Sequence, residues 1–447
     1  MGTETVRAGA DDVAGRRREQ RGWYFYDWAC SVYSTSVLTV FLGPYLTSVA
    51  KSAADADGFV HPLGIPVRAG SFFAYSVSLS VVLAVVVMPL VGGLADRTGR
   101  KKHLLGVAAY TGAGATTGLF FLDGDRYLLG GVLLVVANAA QSVAMMLYNS
   151  YLPQIARPEE RDAVSSRGWA FGYAAGALVL VVNLVLYSGH DSFGLSETSA
   201  VRICLASAGL WWGAFALVPL RRLRDRRSTA APVAAPGLRQ LAATVRDMRR
   251  HPLTLAFLLA YLVYNDGIQT VISQASVYGS EELGLGQSTL IVAVLLVQVL
   301  AVAGALAMGR LARIYGAQRT ILGSLVAWTL TLAAGYFLPA GVPVGFFVLA
   351  AGIGLVLGGS QALSRSLFSH LVPPGKEAEY FAAYEMSDRG MSWLGPLLFG
   401  LTYQLTGSYR SAIISLVVFF VIGFALLARV PVRRAISAAG NPVPERI

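Results

Sequence analysis

Charged residues are scarce in this sequence. Only 14% of its 447 residues are Asp, Glu, Lys or Arg, whereas 55% are hydrophobic. A soluble chain of this length usually divides into two or three domains and carries about 25% charged residues. The deficit therefore excludes a soluble multidomain protein and indicates a surface that faces lipid. The 48 glycines agree with this interpretation, because small residues let transmembrane helices approach closely.

Several chemical groups that enzymes and pumps need are also missing. The two cysteines, Cys30 and Cys204, lie in apolar runs, and no pair among the five histidines has the spacing of metal ligands. The sequence has no Gly-x-x-x-x-Gly-Lys-Ser/Thr loop, which disfavours a nucleotide-driven pump. No cluster of His, Cys, Asp and Glu offers a reacting site. We therefore expect no cofactor, no metal and no enzymatic activity.

Apolar runs long enough to cross a bilayer recur along the whole chain. A spanning helix needs about 20 mostly apolar residues. The sequence therefore predicts an all-α integral membrane protein with twelve transmembrane helices, at approximately 23–49, 70–94, 103–122, 127–149, 166–188, 200–220, 252–278, 287–308, 319–338, 342–364, 380–404 and 408–428. The first run is too long for a signal peptide, so we expect none to be cleaved. The excess of Arg over Lys is typical of a GC-rich bacterial genome, which favours the bacterial cytoplasmic membrane.

Lysine and arginine are distributed unequally between the two sides of these helices. If the N-terminus is cytoplasmic, 31 of the 36 basic residues lie in inner segments. The five in outer segments are Lys51, Arg68, Arg126, Arg202 and Arg410. This asymmetry follows the positive-inside rule, so we expect both termini to be cytoplasmic. It also accounts for the net charge of +11 without nucleic acid, because the basic residues are spread over every inner segment and lack interleaved aromatic residues.

The two halves of the chain resemble each other. Gln141 to Pro153 and Gln361 to Pro373 share five similar positions at a constant offset of 220. Two further stretches match in the same order, and one of them aligns Gly99 with Gly316. The sequence therefore predicts two six-helix bundles, with the solute bound where the bundles meet. The expected organisation is an N-terminal tail at 1–22, bundles at 23–220 and 252–428, a basic linker at 221–251 and a C-terminal tail at 429–447.

A glycine-rich basic loop connects the second and third predicted spans. It reads Gly92-Gly93-Leu94-Ala95-Asp96-Arg97-Thr98-Gly99-Arg100-Lys101-Lys102. Glycine permits a tight turn, and a carboxylate at the mouth of the loop can accept hydrogen bonds or pair with a cation. The loop resembles the signature of the major facilitator superfamily, which implies a charge-paired latch between bundles. The latch candidates are Gly92, Asp96, Arg97, Gly99 and Arg100; the alternative is a loop that only orients the protein.

Polar residues recur at helical spacing on the first, fourth, seventh and tenth spans. In the resembled superfamily these four helices line the central cavity. The cavity candidates are Asp27, Asn138, Gln141, Asn149, Asp266, Gln269, Thr270, Gln361 and Arg365. Hydrogen bonding between helices of a packed bundle is the alternative role for these side chains.

Ionisable residues within the spans are the candidates for ion coupling. A charge at the bilayer centre costs at least about 2.5–3.5 kcal/mol, so it normally faces protein or water and marks a pathway. Asp266, about 14 residues into its span, is the first candidate, either for coupling protons or for pairing with a cationic substrate group. Asp27 lies one turn into its helix, where the dipole favours an anion, so a structural role is equally open. Glu385, Asp388 and Arg389 form a charged cluster that suits a gate or a structural ion pair.

Several motifs together resemble one family within the superfamily. They are Tyr26-Asp27-Trp28-Ala29, Tyr148-Asn149-Ser150-Tyr151-Leu152-Pro153, Ser165-Ser166-Arg167-Gly168, Tyr264-Asn265-Asp266-Gly267-Ile268-Gln269-Thr270 and Gly358-Gly359-Ser360-Gln361-Ala362-Leu363-Ser364-Arg365-Ser366. Over roughly residues 23 to 428 the chain is similar to the autophagy-related vacuolar effluxer family, whose bacterial members form its "unknown major facilitator" branch. The resemblance implies a major facilitator fold and efflux of amino acids.

The combined hypothesis is a secondary transporter that moves a small solute by alternating access, with amino-acid or small-metabolite efflux as the expected activity. Its expected partners are the lipid bilayer, a small-molecule substrate and protons as the coupling ion. We expect no nucleic-acid partner and a functional monomer. Two alternatives stay open, namely drug or sugar transport within the same superfamily and a membrane receptor or scaffold without transport.

Overall fold

The described part of the chain is almost entirely helical. The computed structural model describes residues 2–156, 161–225, 249, 251–372, 384, 393–441 and 443. The helices are α1 (Gly2–Val32), α2 (Leu42–Ser52), α3 (Phe72–Thr98), α4 (Lys101–Gly118), α5 (Tyr127–Asn149), α6 (Leu152–Ile155), α7 (Arg161–Ser188), α8 (Glu197–Arg222), α9 (Pro252–Glu281), α10 (Gln287–Tyr315), α11 (Ala317–Tyr336), α12 (Pro343–His370), α13 (Leu394–Thr406), α14 (Tyr409–Ser415), α15 (Val417–Ala428) and α16 (Val432–Ala438).

Residues at the helix ends explain where several of these helices begin and end. Pro252 is the first residue of α9, where its missing N–H is not needed. The Ser196 side chain accepts from the Ser199 N–H and so caps the start of α8. Gly407 ends α13 with φ +70°, a left-handed conformation that favours glycine. These caps satisfy backbone groups that a helix leaves unpaired at its ends.

The first predicted span is one continuous helix whose winding changes midway. Between α1 and α2, the nine residues Tyr33–Phe41 form a π-helix. Such wider helical turns are rare in proteins, and where they occur they are often found at functional sites. They also change which residues share a helix face, so the 3.6-residue spacing applied to the polar residues of this span holds only as far as Val32.

Two short strands lie between α2 and α3. β1 (Phe59–Val60) and β2 (Val67–Arg68) pair antiparallel, with Phe59 opposite Arg68. They are the only strands within the residues that the structure describes.

Ten helical segments among the described residues are long and apolar enough to cross a membrane. They correspond to ten of the twelve predicted spans. The span predicted at 319–338 is present as α11 but is not among the ten, and its sequence is rich in Ala, Gly and Thr. The span predicted at 380–404 is described only at Tyr384 and from Trp393 onward. A count of twelve membrane spans therefore stays a prediction.

The chain packs as two compact units, and the first comprises Met1–Leu38, Val86–Leu122 and Val132–Leu238. In this unit α1 packs against α7 and α8, and α4 packs against α8. Trp212 of α8 is fully buried and its ring occupies the space beside Gly112 of α4. A small residue on one helix thus lets a large ring of the other fill the core.

The second unit comprises Thr39–Val85, Asp123–Gly131 and Arg239–Ile447. Here α10 and α11 pack against α12, and α9 packs against α15. A Cβ added at Gly304 would collide with the Leu355 carbonyl, so the backbones of α10 and α12 approach very closely. The rings of Trp328 and Phe420 stack at 5.4 Å between centroids and join α11 to α15.

Candidate functional site

The first unit holds a buried carboxylate that bonds across helices. Asp27 of α1 is 9% exposed, and its Oδ2 accepts from the Tyr148 hydroxyl of α5 at 2.5 Å. Trp23 stacks on the Tyr148 ring at 4.3 Å and donates from Nε1 to the Tyr148 carbonyl at 3.0 Å. Asp27 is thereby part of a hydrogen-bonded aromatic cluster that ties α1 to α5. Because α1 begins at Gly2, Asp27 does not lie one turn into its helix, and the prediction that the helix dipole favours this carboxylate was wrong.

A row of glycines on α7 lies against polar residues of α1 and of the π-helix that follows it. A Cβ added at Gly168 would lie 2.5 Å from Asp27 Oδ2, and one added at Gly176 would lie 2.9 Å from Thr35 Oγ1. Between them, Gly172 faces Ser31 in the same way. The four-residue spacing places the three glycines on one face of α7. Only glycine leaves room there, so the backbone of α7 can lie directly against the Asp27 carboxylate.

The other cavity candidates of this unit lie on α5. Asn138 and Gln141 are each 7% exposed, and Gln141 Nε2 donates to Ser34 Oγ of the π-helical segment at 2.7 Å. Asn149, at the end of α5, is half-buried. The structure therefore brings Gln141 together with the first span through a hydrogen bond between helices.

The second unit holds a more deeply buried carboxylate. Asp266 of α9 is 2% exposed, and its Oδ2 accepts from the backbone N–H of Gly395, in the first turn of α13, at 2.8 Å. Its Oδ1 has no hydrogen-bond partner among the described residues. Thr270, one turn farther along, is fully buried and donates to the Asp266 carbonyl at 2.7 Å. One carboxylate oxygen is thus available to a further donor or cation.

A second bond in this unit joins α9 to α12. The Tyr264 and Ser364 hydroxyls lie 2.5 Å apart, and Ser364 also donates to the Ser360 carbonyl. Gln269 and Gln361 are only partly buried. Arg365 lies in α12, but its side chain is outside the described part. Glu385, Asp388 and Arg389 also lie outside the described residues.

The basic loop of the sequence connects α3 and α4. Gly92, Asp96 and Arg97 belong to the last turns of α3, although the side chains of Asp96 and Arg97 are not among those described. Gly99 has φ +63°, which explains the glycine, and Arg100 is exposed. Its counterpart in the second half, Gly316, has φ +91° between α10 and α11.

One residue at this loop was not predicted. Asp225, just beyond α8, accepts through Oδ1 from the Lys102 N–H at 2.7 Å and from the Tyr151 hydroxyl at 3.2 Å. It therefore caps the start of α4 and ties it to the chain that follows α5. A lone acid within the arginine run from 221 to 227 is the only sequence feature that could have identified it.

Known proteins resemble the chain over nearly its whole length. Residues 15–440 match the family described as vacuole effluxer Atg22 like. An uncharacterized MFS-type transporter of Bacillus subtilis, YxiO, is 28% identical over 434 residues, which cover 96% of this chain and 98% of that protein. The autophagy-related protein 22 of Yarrowia lipolytica is 29% identical over 467 residues, covering 83% and 77%.

Solved transporter structures share the fold. A crystal structure of the nucleoside transporter NupG aligns with TM-score 0.62 and 15% identity over 93% of this chain and 98% of its own. The partially occluded inward-open xylose transporter XylE of E. coli aligns with TM-score 0.63 and 13% identity over 93% and 97%. At such identities the likeness establishes the fold alone. It confirms the expected major facilitator fold.

Proposed function

Because this chain belongs to the Atg22-like vacuole effluxer family of the major facilitator superfamily, we propose that it is a secondary active transporter working by alternating access. Its relatives and structural neighbours are membrane transporters, and the chain is itself a multi-pass membrane transporter. Export of amino acids or other small metabolites is the proposed activity, because it fits the effluxer family. The bacterial relative supports a bacterial cytoplasmic membrane as the location.

The proposed arrangement is twelve membrane helices in two bundles, with both termini and the 221–251 linker in the cytoplasm. The positive-inside pattern supports this orientation, and the matching positive φ angles of Gly99 and Gly316 support the duplication. Thiol labelling in intact cells should mark Asp125→Cys and spare Ser228→Cys. The reverse pattern would overturn the orientation.

The single observation that carries the mechanism is Asp266, buried to 2% exposure with Oδ1 unpartnered among the described residues. An ionised carboxylate in such a place is costly unless it is paired, so a proton or a cation that joins it gains free energy. A transported proton and the ammonium group of an amino acid both qualify. We assign Asp266 this role and the inner loop around Asp96 and Gly99 the role of a latch on the cytoplasmic side.

The test is transport by the purified protein in liposomes. Exchange assays with panels of amino acids, nucleosides, sugars and drugs identify the substrate class, and amino acids are expected to exchange. An imposed pH gradient should then drive accumulation of that substrate. Asp266→Asn keeps the shape of the side chain but removes the charge, so uphill accumulation should be lost while downhill exchange survives.

Asp27→Asn is the matched control, since it makes the same change at a carboxylate that is already bonded to Tyr148. It should retain uphill transport. A substrate-pairing role for Asp266 would instead weaken binding in both uphill and exchange modes. Uphill transport at the unmutated rate in Asp266→Asn would refute both roles for this residue.

A further inference from the structure

The few basic residues predicted on the outer side are not randomly placed. Two of the five form ion pairs with consecutive acidic residues at the end of α9: Lys51 Nζ pairs with Glu281 Oε2, and Arg410 Nε lies 2.8 Å from Glu282 Oε1. Translocated segments are normally depleted of Lys and Arg. Lys51 and Arg410 are exceptions to this depletion, and each is paired with a glutamate. We therefore expect these ion pairs to have a function at this end of the helices.

The Lys51–Glu281 pair belongs to a wider contact that α2 and the π-helix before it make with the helices α9 and α10. The Ser276 hydroxyl of α9 donates to the Thr39 carbonyl, and Gln287 Nε2 of α10 donates to the Val40 carbonyl at 3.0 Å. In the same contact Gly43 leaves room for the Val277 side chain. A Cβ added at Gly43 would lie only 2.7 Å from Val277 Cγ2. The end of the first span is thus fastened to the seventh and eighth.

A second contact fastens the start of α3 and the β2 strand to α13. The Ser71 hydroxyl donates to the Gly400 carbonyl at 2.9 Å, and the Ser78 hydroxyl donates to the Trp393 carbonyl at 3.0 Å. The Arg68 N–H donates to Gln404 Oε1 at 2.9 Å. These bonds run from polar side chains or backbone to single acceptors, and water can replace each of them when the surfaces separate.

We propose that these contacts, all of which lie within the second compact unit, form an outer latch centred on Lys51 and Glu281. The latch joins the predicted six-helix bundles 23–220 and 252–428 and opens once in each transport cycle. The latch rests on the alternating-access function proposed above. The Lys51 side chain is 46% exposed and that of Glu281 11% exposed, so the separated charges reach water at little cost. Under the proposed topology the latch lies on the external face, opposite the inner basic loop.

The neighbouring pair is the matched control. Arg410 and Glu282 join α14 to α9, both within the predicted second bundle, and Arg410 Nη1 also donates to the Tyr336 carbonyl at 2.7 Å. This pair has similar chemistry and lies one residue along α9, but it does not connect the two bundles. Its loss should therefore leave the latch closed.

The experiment measures opening of the latch directly. In protein with Cys30→Ala and Cys204→Ala, a reporter Val277→Cys is placed at a position that is 1% exposed behind Gly43. Its labelling by a hydrophilic maleimide is followed in nanodiscs, where both faces are accessible. Lys51→Gln and Glu281→Gln should each raise the labelling rate about two- to fivefold, the factor that a partly exposed ion pair contributes to an equilibrium constant.

Three comparisons make the outcome decisive. The exchange Lys51→Glu with Glu281→Lys should return the rate toward the unmutated value, Lys51→Arg should leave it unchanged, and Glu282→Gln should not raise it. Equal labelling in all variants, or the same rise in Glu282→Gln, would overturn the latch. Melting temperature and monodispersity identify any variant whose labelling reflects misfolding. If a variant misfolds, the test becomes the difference in labelling rate between Lys51→Arg, which keeps the charge, and Lys51→Gln, which removes it. Labelling needs no substrate and no pH gradient, so failure of the latch is distinguishable from failure of the transport proposal.

Discussion

Asp27 and Asp266 are both aspartates within predicted membrane spans, but their surroundings in the structure differ. Each lies on a long helix, is at most 9% exposed and faces a glycine of another helix, Gly168 or Gly395. Asp27 is held by a phenol, whereas Asp266 is held by a backbone amide and keeps one oxygen unpartnered within the described residues. Both carboxylates are buried, so the donors that reach them distinguish the two more clearly than the difference between 9% and 2% exposure does.

The type of donor has a chemical consequence. A hydroxyl can donate to a carboxylate or accept from a protonated carboxyl, whereas an N–H group only donates. The Asp27–Tyr148 bond can persist in either protonation state, but the bond from Gly395 to Asp266 is strongest when the carboxylate is charged. A change of charge at Asp266 thus changes the strength of its hydrogen bond to α13. This favours Asp266 over Asp27 as the residue that couples proton movement to transport.

The largest effect is expected at the glycine beside Asp266. In Gly395→Ala the new methyl group meets the Thr270 hydroxyl and comes within 3.1 Å of the Asp266 carbonyl. Overpacking of this kind costs about 3 kcal/mol, so the variant should melt at a clearly lower temperature in detergent. Gly323→Ala is the control, because nothing lies within 4 Å of its added Cβ and alanine is the better helix former. Equal melting of both variants would contradict the close approach of α13 to α9.

A smaller loss is expected at the phenol beside Asp27. Tyr148→Phe leaves a buried carboxylate without its donor, which costs about 2 kcal/mol of unfolding free energy. Combining it with Asp27→Asn should cost less than the sum of the two single changes, because the residues are directly coupled. Thermal unfolding of the four proteins measures this coupling, and strict additivity would show that the hydrogen bond contributes nothing.

A buried tyrosine of the second unit, Tyr264, should matter less. Tyr264→Phe removes a bond to Ser364, which keeps its own bond to the Ser360 carbonyl, so no buried charge is left unpaired. Side-chain hydrogen bonds between membrane helices contribute about 0.6 kcal/mol on average. The melting temperature should fall less than in Tyr148→Phe; a larger fall would reverse the ranking of the two clusters.

The smallest effect is expected for a carboxylate at the surface. Asp225→Ala removes the acceptor shared by the Lys102 N–H and the Tyr151 hydroxyl, and loss of such a cap costs about 0.5 kcal/mol. Asp225→Asn keeps an acceptor oxygen and should melt like the unmutated protein. If Asp225→Ala lowered the melting temperature as much as Tyr148→Phe, burial would not explain why the hydrogen bonds of Asp27 contribute more stability than those of Asp225.

Much of the architecture was accessible from local sequence features. Apolar runs placed ten helices that match membrane-length segments, and the glycine-rich loop with its flanking motifs identified the family. The π-helical stretch at Tyr33–Phe41 was not predicted, because a regular 3.6-residue period was assumed along the whole span. Asp225 was missed because its partners lie 123 and 74 positions away in sequence.

The sequence by itself determined that this protein is a helical membrane transporter of the major facilitator type, since hydrophobic length and family motifs are properties of contiguous residues. It also placed Asp27 and Asp266 inside apolar helices. Only the tertiary structure decided which carboxylate oxygen is satisfied, because the donors come from Tyr148 and Gly395, 121 and 129 positions away. Likewise, Lys51 is one of five outer charges in the sequence and becomes a latch candidate only when folding brings Glu281 to it.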